Sequence, residues 1–463
     1  MRTFAIETLG CKVNQYESQQ IRELLESLGL SQVSDYRQKP DLVVVNTCCV
    51  TRTASAKSRQ CIRKNRKLTP DAVQVVIGCL PTAQTGELNN LGENIHFIRH
   101  QDDLAAALNR IVKSLPVRWL SDAPRPQVSR PFGYPSIRPK NESKVKCKNN
   151  LSGQLGLGPL TAFKGHTRAF LKVQDGCDGS CSYCIIPRAR PFVRSKPPET
   201  VLREAQALVS AGHKEIVITG IFLGAYGQKS VRKKTWPHPQ NHKLPELLDK
   251  IAEIPRLARI RLSSLEPSDV TPELLDTFRN HRNIMPHLHL SLQSGSNLVL
   301  RKMCRQYTAD DFAATVEQIK AKLDRPAITT DIIVGFPGET DADFERTVQL
   351  ARRVVFAKMH IFRFSPRRGT AAAAMQEPVD NKVIKERSKL LRDLDVELGA
   401  MFRRQFIGET ATILLENTNG RPSGRSERYF MVALDREATN YRKNDLVTVR
   451  LLENNNPMLG TAI

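Results

Sequence analysis

Residues 168–184 read RAFLKVQDGCDGSCSYC, a strand-like run that leads straight into three cysteines. The apolar and β-branched residues of 168–174 predict a buried strand, and the turn after it carries Cys177, Cys181 and Cys184 at C-x-x-x-C-x-x-C spacing. Three thiolates on one short loop can hold three irons of a 4Fe-4S cluster and leave the fourth iron without a protein ligand. A closed structural zinc site takes four ligands, often as two paired motifs, and no partner pair follows this loop. The open iron is therefore a position for a bound reactant.

Outward from this loop the same alternation continues. Strand candidates at 215–221, 259–265, 287–292, 327–336 and 358–365 are each followed by a helical stretch, which predicts a curved parallel sheet, a complete or partial (βα)6 barrel. Upstream, strands at 3–6, 41–46, 72–78 and 94–98 alternate with helical spacing over Ser18 to Gly29 and Thr53 to Leu68, giving a second parallel, helix-covered α/β unit. In that unit Cys11, Cys48 and Cys79 each follow a strand, so parallel packing gathers three distant thiols at one sheet edge. Cys49 adjoins Cys48, and neighbouring residues seldom direct both side chains inward, so one of the pair is not a ligand.

After Arg404 the pattern changes to short β runs at 411–416, 429–434, 446–452 and 460–463, punctuated by Asn, Gly, Pro and Ser. These predict a small antiparallel, OB-like β-barrel, an architecture that often binds oligonucleotides. The Pro-, Lys- and Arg-rich stretch 116–160 lacks apolar periodicity and reads as a linker or basic arm. The expected organisation is an α/β amino-terminal domain (1–115), a basic linker (116–165), a central partial barrel (166–402) and a terminal β-barrel (403–463).

Composition agrees with several packed units. The chain has 463 residues, 40% hydrophobic and 25% charged, which excludes wholesale disorder and a single small module. Lys and Arg (70) exceed Asp and Glu (47), a net charge of +23, with the excess uneven and densest in residues 111–170; a polyanionic partner is expected. No apolar run approaches the roughly 20 residues that span a bilayer. The first residues show no secretory pattern, so a cytoplasmic location is expected, where ten cysteines stay reduced and serve metal or redox chemistry rather than disulfides.

The cysteine loop on a six-unit βα chain resembles the radical S-adenosylmethionine enzymes, and Tyr183 matches the aromatic residue common before their third cysteine. With three upstream cysteines and a terminal β-barrel, the whole chain resembles the methylthiotransferases, whose terminal barrel is the RNA-binding TRAM domain. The motifs TLGCKVNQYES, GHTRAFLKVQDGC, ITGIFLGAYG, RIRLSSLEP, HLHLSLQSGS and TTDIIVGFPGET look like the branch acting on N6-threonylcarbamoyladenosine in tRNA. The resemblance implies two 4Fe-4S clusters, one on Cys177, Cys181 and Cys184 that binds S-adenosylmethionine, and one on Cys11, Cys48 and Cys79 that presents the sulfur. Cys48 is preferred to Cys49 because it follows Asn46 and Thr47 in the family pattern. It also implies replacement of hydrogen on C2 of the adenine by a methylthio group, next to the anticodon on its 3′ side. The partners implied are tRNA, an electron-donor protein and a sulfur source, with no membrane.

Further candidates follow from position. Gly220 and Gly224 follow a strand, where small residues let a cofactor approach the backbone; Ser264, Glu266, Gln293, Ser294 and Asp331 stand at strand ends, suited to ribose, the methionine moiety or substrate, or to capping helices. Arg421, Arg425, Arg428 and Arg442 are candidate phosphate contacts. Cys61 and Cys304 are expected to be small buried hydrophobes, and Cys147 an exposed linker thiol. The chain departs from the family at Arg188 and Pro191, where Tyr and Gly are more usual, and in a longer linker. The alternative is methylthiolation of an aspartate in a ribosomal small-subunit protein; that branch commonly has Pro after its first cysteine, whereas Lys12 stands here.

Overall fold

A computed structural model describes residues 2–83, 85–88, 94–99, 104–115, 157–232, 241–435 and 440–463. The amino-terminal unit contains β1 (Thr3–Thr8), α1 (Lys12–Ser27), β2 (Ser31–Gln32), β3 (Leu42–Thr47), α2 (Arg52–Leu68), β4 (Val73–Gly78), α3 (Cys79–Ala83), β5 (Ile95–Phe97) and α4 (Leu104–Ser114). Its strands form one parallel sheet in the order β2-β1-β3-β4-β5. Every residue of β3 is buried, as a central strand covered on both faces requires, and the run LVVV supplies the apolar side chains.

α1 starts at Lys12, well before the expected Ser18. Its first turns bury Asn14, Glu17, Ser18, Gln19 and Gln20, polar residues that meet other parts of the protein, so apolar periodicity is silent over half the helix. Tyr16 from this helix enters the core of the central unit, where its hydroxyl donates to Glu204 at 2.5 Å.

The central unit comprises β6 (Ala169–Asp175), α5 (Ile186–Ala189), β7 (Arg194–Ser195), α6 (Pro198–Ser210), β8 (Glu215–Gly220), α7 (Lys243–Ala252), β9 (Arg259–Leu262), α8 (Pro272–Asn280), β10 (His287–His289), α9 (Asn297–Lys302), α10 (Ala309–Lys322), β11 (Ala327–Val334), α11 (Asp341–Val354), β12 (Lys358–Arg363) and α12 (Asn381–Arg404). Strands β6, β8 and β9 are parallel, with the short β7 antiparallel at the edge; β10, β11 and β12 form a second parallel ladder. Single bridges Ile260–Ile284 and Leu265–Leu290 join the two ladders into one curved wall, a partial barrel of six parallel strands, and Gln293–Ile332 extends the β10–β11 pairing. Helices α10 and α11 begin with capping boxes at Thr308 and Thr340, each cap contributing about 1 kcal/mol. The end of the stretch read as linker is packed: Leu160 and Phe163 are buried in the central core, and Leu157 in the amino-terminal one. Residues 116–156, with Cys147, lie outside the described residues.

The terminal unit is a closed five-stranded barrel of β13 (Thr410–Asn417), β14 (Ser423–Ser426), β15 (Met431–Leu434), β16 (Leu446–Glu453) and β17 (Met458–Ala462). Its pairings are antiparallel except β15 with β17. β14 reads SGRS and offers no apolar run to the eye; Gly424 is required there because any side chain would overlap the Leu414 carbonyl across the ladder. The barrel docks on the central unit through buried arginines. Arg259 donates to the carbonyl of Arg425 at 2.9 Å, and Arg261 to those of Glu427 and Ser426 at 2.8 and 2.6 Å. Among the described residues, no helix is long and apolar enough to cross a membrane.

Candidate metal centres and cofactor cavity

Cys177, Cys181 and Cys184 stand on the loop after β6 and line one cavity of about 160 Å³ together with Tyr183, Ser264, Glu266 and Arg305. The loop is held from below. Gln174 donates to the carbonyls of Asp175 and Gly176 at 3.0 and 2.8 Å and accepts from Phe222 N–H at 2.7 Å, while Cys177 N–H donates to the Arg190 carbonyl at 2.9 Å. Burial pushes the Cys177 thiol up to about 11 and that of Cys184 to about 12, with Cys181 raising both further and Cys177 also raising Cys184. Three clustered thiols that oppose one another's ionisation suit a cationic iron–sulfur group, which relieves that repulsion. Donors to sulfur are in place: Arg305 reaches Cys181 Sγ at 3.1 Å and Gly179 N–H reaches Cys177 Sγ at 3.4 Å.

Arg305 also donates to Glu266 Oε1 at 2.5 Å and to the Tyr307 hydroxyl at 3.1 Å, all three side chains being buried or nearly so. No motif in the sequence announces Arg305; only its place in the tertiary structure identifies it. Of the position-based candidates, Tyr183, Ser264 and Glu266 line the cavity, and Gly220, Gly224, Gln293, Ser294 and Asp331 do not. Gly220 makes room for Gln174, and a side chain at Gly224 would overlap the Asp269 carboxylate; both glycines serve protein packing. Ser294 is fully buried, facing Thr347 and accepting from Ser296 N–H at 3.2 Å, while the cap of α9 is Ser296. Gln293 takes a left-handed backbone conformation (φ 67°) and its N–H donates to the Asp331 carbonyl. Cys304 is exposed and lines the cavity, contrary to the expected buried hydrophobe, because the chain turns there at φ 56°. Cys61 is half-buried against Asn65.

The amino-terminal cysteines converge as their strand-end positions require. Cys11 caps α1, Cys48 follows β3 and Cys79 opens α3. Gly10 (φ 107°) brings the chain against Cys48, where a Cβ would lie 2.7 Å from that side chain's Cβ and 3.2 Å from its Sγ. Cys49, fully buried, hydrogen-bonds Cys79, so four thiols meet rather than three. The Cys79 thiol is lowered to about 6, first by the Cys49 hydrogen bond and then, against burial, by Arg190. Cys48 is pushed up to about 12 by burial, with Cys79 and Cys11 adding to it. This set also suits a cationic group.

Arg190 ties the two cysteine sets together. Its guanidinium hydrogen-bonds Cys79, donates to Glu17 Oε1 and Oε2 at 2.8 Å each and meets Asp175 at 2.9 Å, with Lys172 completing a buried network. A second clamp runs from Arg367, buried near Cys48, to Ser55 of α2 at 2.6 Å.

Of the RNA-contact candidates, Arg421 and Arg442 are exposed. Arg425 pairs with Glu416 at 3.2 Å and lies over the Tyr429 ring within the barrel; Arg428 binds Asp324 at 2.8 Å and the carbonyl of Arg325 across the seam with the central unit.

The Radical SAM superfamily matches residues 171–351, and the family described as Uncharacterized protein family UPF0004 matches residues 3–99. A Chlamydia pneumoniae protein, threonylcarbamoyladenosine tRNA methylthiotransferase MtaB, is 35% identical over 97% of this chain and 95% of its own. A tRNA-2-methylthio-N(6)-dimethylallyladenosine synthase from Wolbachia pipientis subsp. Culex pipiens is 30% identical over the full length of both. Among solved structures, the radical S-adenosylmethionine methyltransferase TsrM from Kitasatospora setae covers 78% of this chain and 72% of its own, with a TM-score of 0.51 at 15% identity, a likeness of fold.

Proposed function

The chain belongs to the radical S-adenosylmethionine tRNA methylthiotransferases, and we propose that it methylthiolates C2 of N6-threonylcarbamoyladenosine in tRNA, beside the anticodon on its 3′ side. As a member it is an enzyme of tRNA modification whose cofactors are S-adenosylmethionine and two 4Fe-4S clusters. When bound, these groups supply the one-electron chemistry and the sulfur that an inert aromatic C–H bond demands.

The observation that carries the reading is the pair of cysteine sets joined through Arg190. Cys177, Cys181 and Cys184 would hold one cluster at the mouth of the cavity; Cys11, Cys48 and Cys79 would hold the other on the facing unit. Arg305, fixed by Glu266 and Tyr307, keeps a positive charge beside the Cys181 sulfur and away from water. Ser264 and Glu266 offer polar atoms to the ribose or methionine portion of a reactant in that cavity. An anticodon-loop base is already partly unstacked, so presenting it to an interior site costs less than extruding it from a duplex. Exposed Arg421 and Arg442 on the terminal barrel suit the flanking phosphates. An electron-donor protein and a sulfur source complete the system.

The threonylcarbamoyl assignment draws support from the greater identity to the relative named for that nucleoside, 35% against 30% for the dimethylallyladenosine synthase, and from Lys12 after Cys11. The test offers reconstituted enzyme three substrates: threonylcarbamoylated tRNA, dimethylallylated tRNA and isolated small ribosomal subunits. Methylthio incorporation into the first alone is the expected result; preferential labelling of either other substrate reassigns the branch.

A further inference from the structure

Three neighbouring parallel strands of the central unit place a second constellation. His289 ends β10, Asp331 stands in β11 and His360 in β12. Asp331 and His360 are register partners, as are His289 and Thr329, so the side chains stand on alternate rungs, two residues apart in β11 and on one face of the ladder. In β11 the alternate residues Ile328, Ile332 and Val334 join the main core, which puts Asp331 on the opposite face. One potential ligand atom from each of the three residues lies within 4.8 Å of the other two.

We propose that His289, Asp331 and His360 form a binding site for one divalent first-row transition-metal ion.

Three features support it. The separation of His289 Nε2 from Asp331 Oδ2, 3.4 Å, matches the distance of about 3.4 Å between two donors that share a tetrahedral ion through bonds of roughly 2.1 Å. His289 Nδ1 lies 3.0 Å from Thr329 Oγ1, the outer hydrogen bond that fixes a ligating imidazole with Nε2 toward the metal. Among the described residues, the ion-pair neighbour of the Asp331 carboxylate is His289, and no lysine or arginine pairs with it. Access is provided, since His360 is exposed and borders a cavity of about 290 Å³ shared with Thr329, Lys358, Arg403 and Tyr429 at the seam with the terminal barrel. Two imidazoles and one carboxylate favour Fe²⁺, Zn²⁺ or Mn²⁺ over Mg²⁺ and Ca²⁺, and leave coordination positions open to oxygen ligands. The site rests on this geometry alone and stands whichever substrate the enzyme modifies.

The probe is Mn²⁺, titrated into reconstituted holoenzyme that has passed a chelating resin and whose iron content accounts for the two clusters and no more. With the clusters in their diamagnetic oxidised state, electron paramagnetic resonance reads the free ion and nitrogen couplings to the bound one. One equivalent bound, with imidazole nitrogen coupling, and at least about tenfold weaker binding in His360→Ala and Asp331→Asn, is the expected result. A full free-ion signal at equimolar wild-type protein, bound ion without nitrogen coupling, or undiminished affinity in both variants overturns the proposal. The wild-type spectrum answers independently of how the variants fold.

Discussion

The main-chain N–H of Cys177 donates to the carbonyl of Arg190 at 2.9 Å, and the side chain of that same arginine hydrogen-bonds Cys79. One residue thus fixes the loop carrying one cysteine set and touches the other set, whose members come from a different unit of the fold. Glu17, Asp175 and Lys172 hold the guanidinium from behind. The relative placement of the two proposed clusters is therefore set by a buried ion network rather than by apolar packing alone.

Replacing Arg190 with Met leaves Glu17 and Asp175 buried with Lys172 as their remaining strong partner. Removing one member of such a network costs about 3–5 kcal/mol. The urea midpoint of Arg190→Met is expected to fall accordingly, with Arg190→Lys intermediate; an unchanged midpoint would show that the network carries no stability.

The two cysteine sets are expected to separate chemically. Cys177→Ala should lose half the iron and all formation of 5′-deoxyadenosine. Cys11→Ala should also lose half the iron yet still cleave S-adenosylmethionine, without methylthio product. Loss of cleavage in both variants would refute the division of labour.

Cys49 adjoins the amino-terminal set but is sealed in the core at 0% exposure. Cys49→Ala is expected to retain the iron content of the wild type, whereas Cys48→Ala loses one cluster. Iron analysis after reconstitution decides this, and the reverse pattern would exchange their roles.

On the terminal barrel, Arg421→Ala and Arg442→Ala should each weaken tRNA binding and reduce the slope of log affinity against log salt by about 1. Arg425→Ala should instead lower thermal stability, because its guanidinium pairs with Glu416 and covers Tyr429. Equal salt slopes for all three variants would place RNA contacts elsewhere.

The sequence made legible whatever follows from strand order. Cys11, Cys48 and Cys79 each stand just past a parallel strand, and the sheet brings them together as that position demands. The C-x-x-x-C-x-x-C loop and the curved six-stranded wall were legible for the same reason. What escaped were residues whose roles depend on long-range polar contact. Arg305 follows an unremarkable cysteine, Arg190 lies in a loop without periodicity, and the first turns of α1 are polar because they meet another unit. Local patterns also misplaced some residues. Gly220 and Gly224 make room for Gln174 and Asp269, and Arg428, read as a phosphate contact, binds Asp324.

The most direct test of the central claim is mass spectrometry of nucleosides from threonylcarbamoylated tRNA, after anaerobic incubation with reconstituted enzyme, reductant and S-adenosylmethionine. The account predicts a new nucleoside heavier than the substrate by one methylthio group less one hydrogen, absent with Cys177→Ala and with Cys11→Ala. Formation of 5′-deoxyadenosine with no change in the tRNA nucleosides would contradict it.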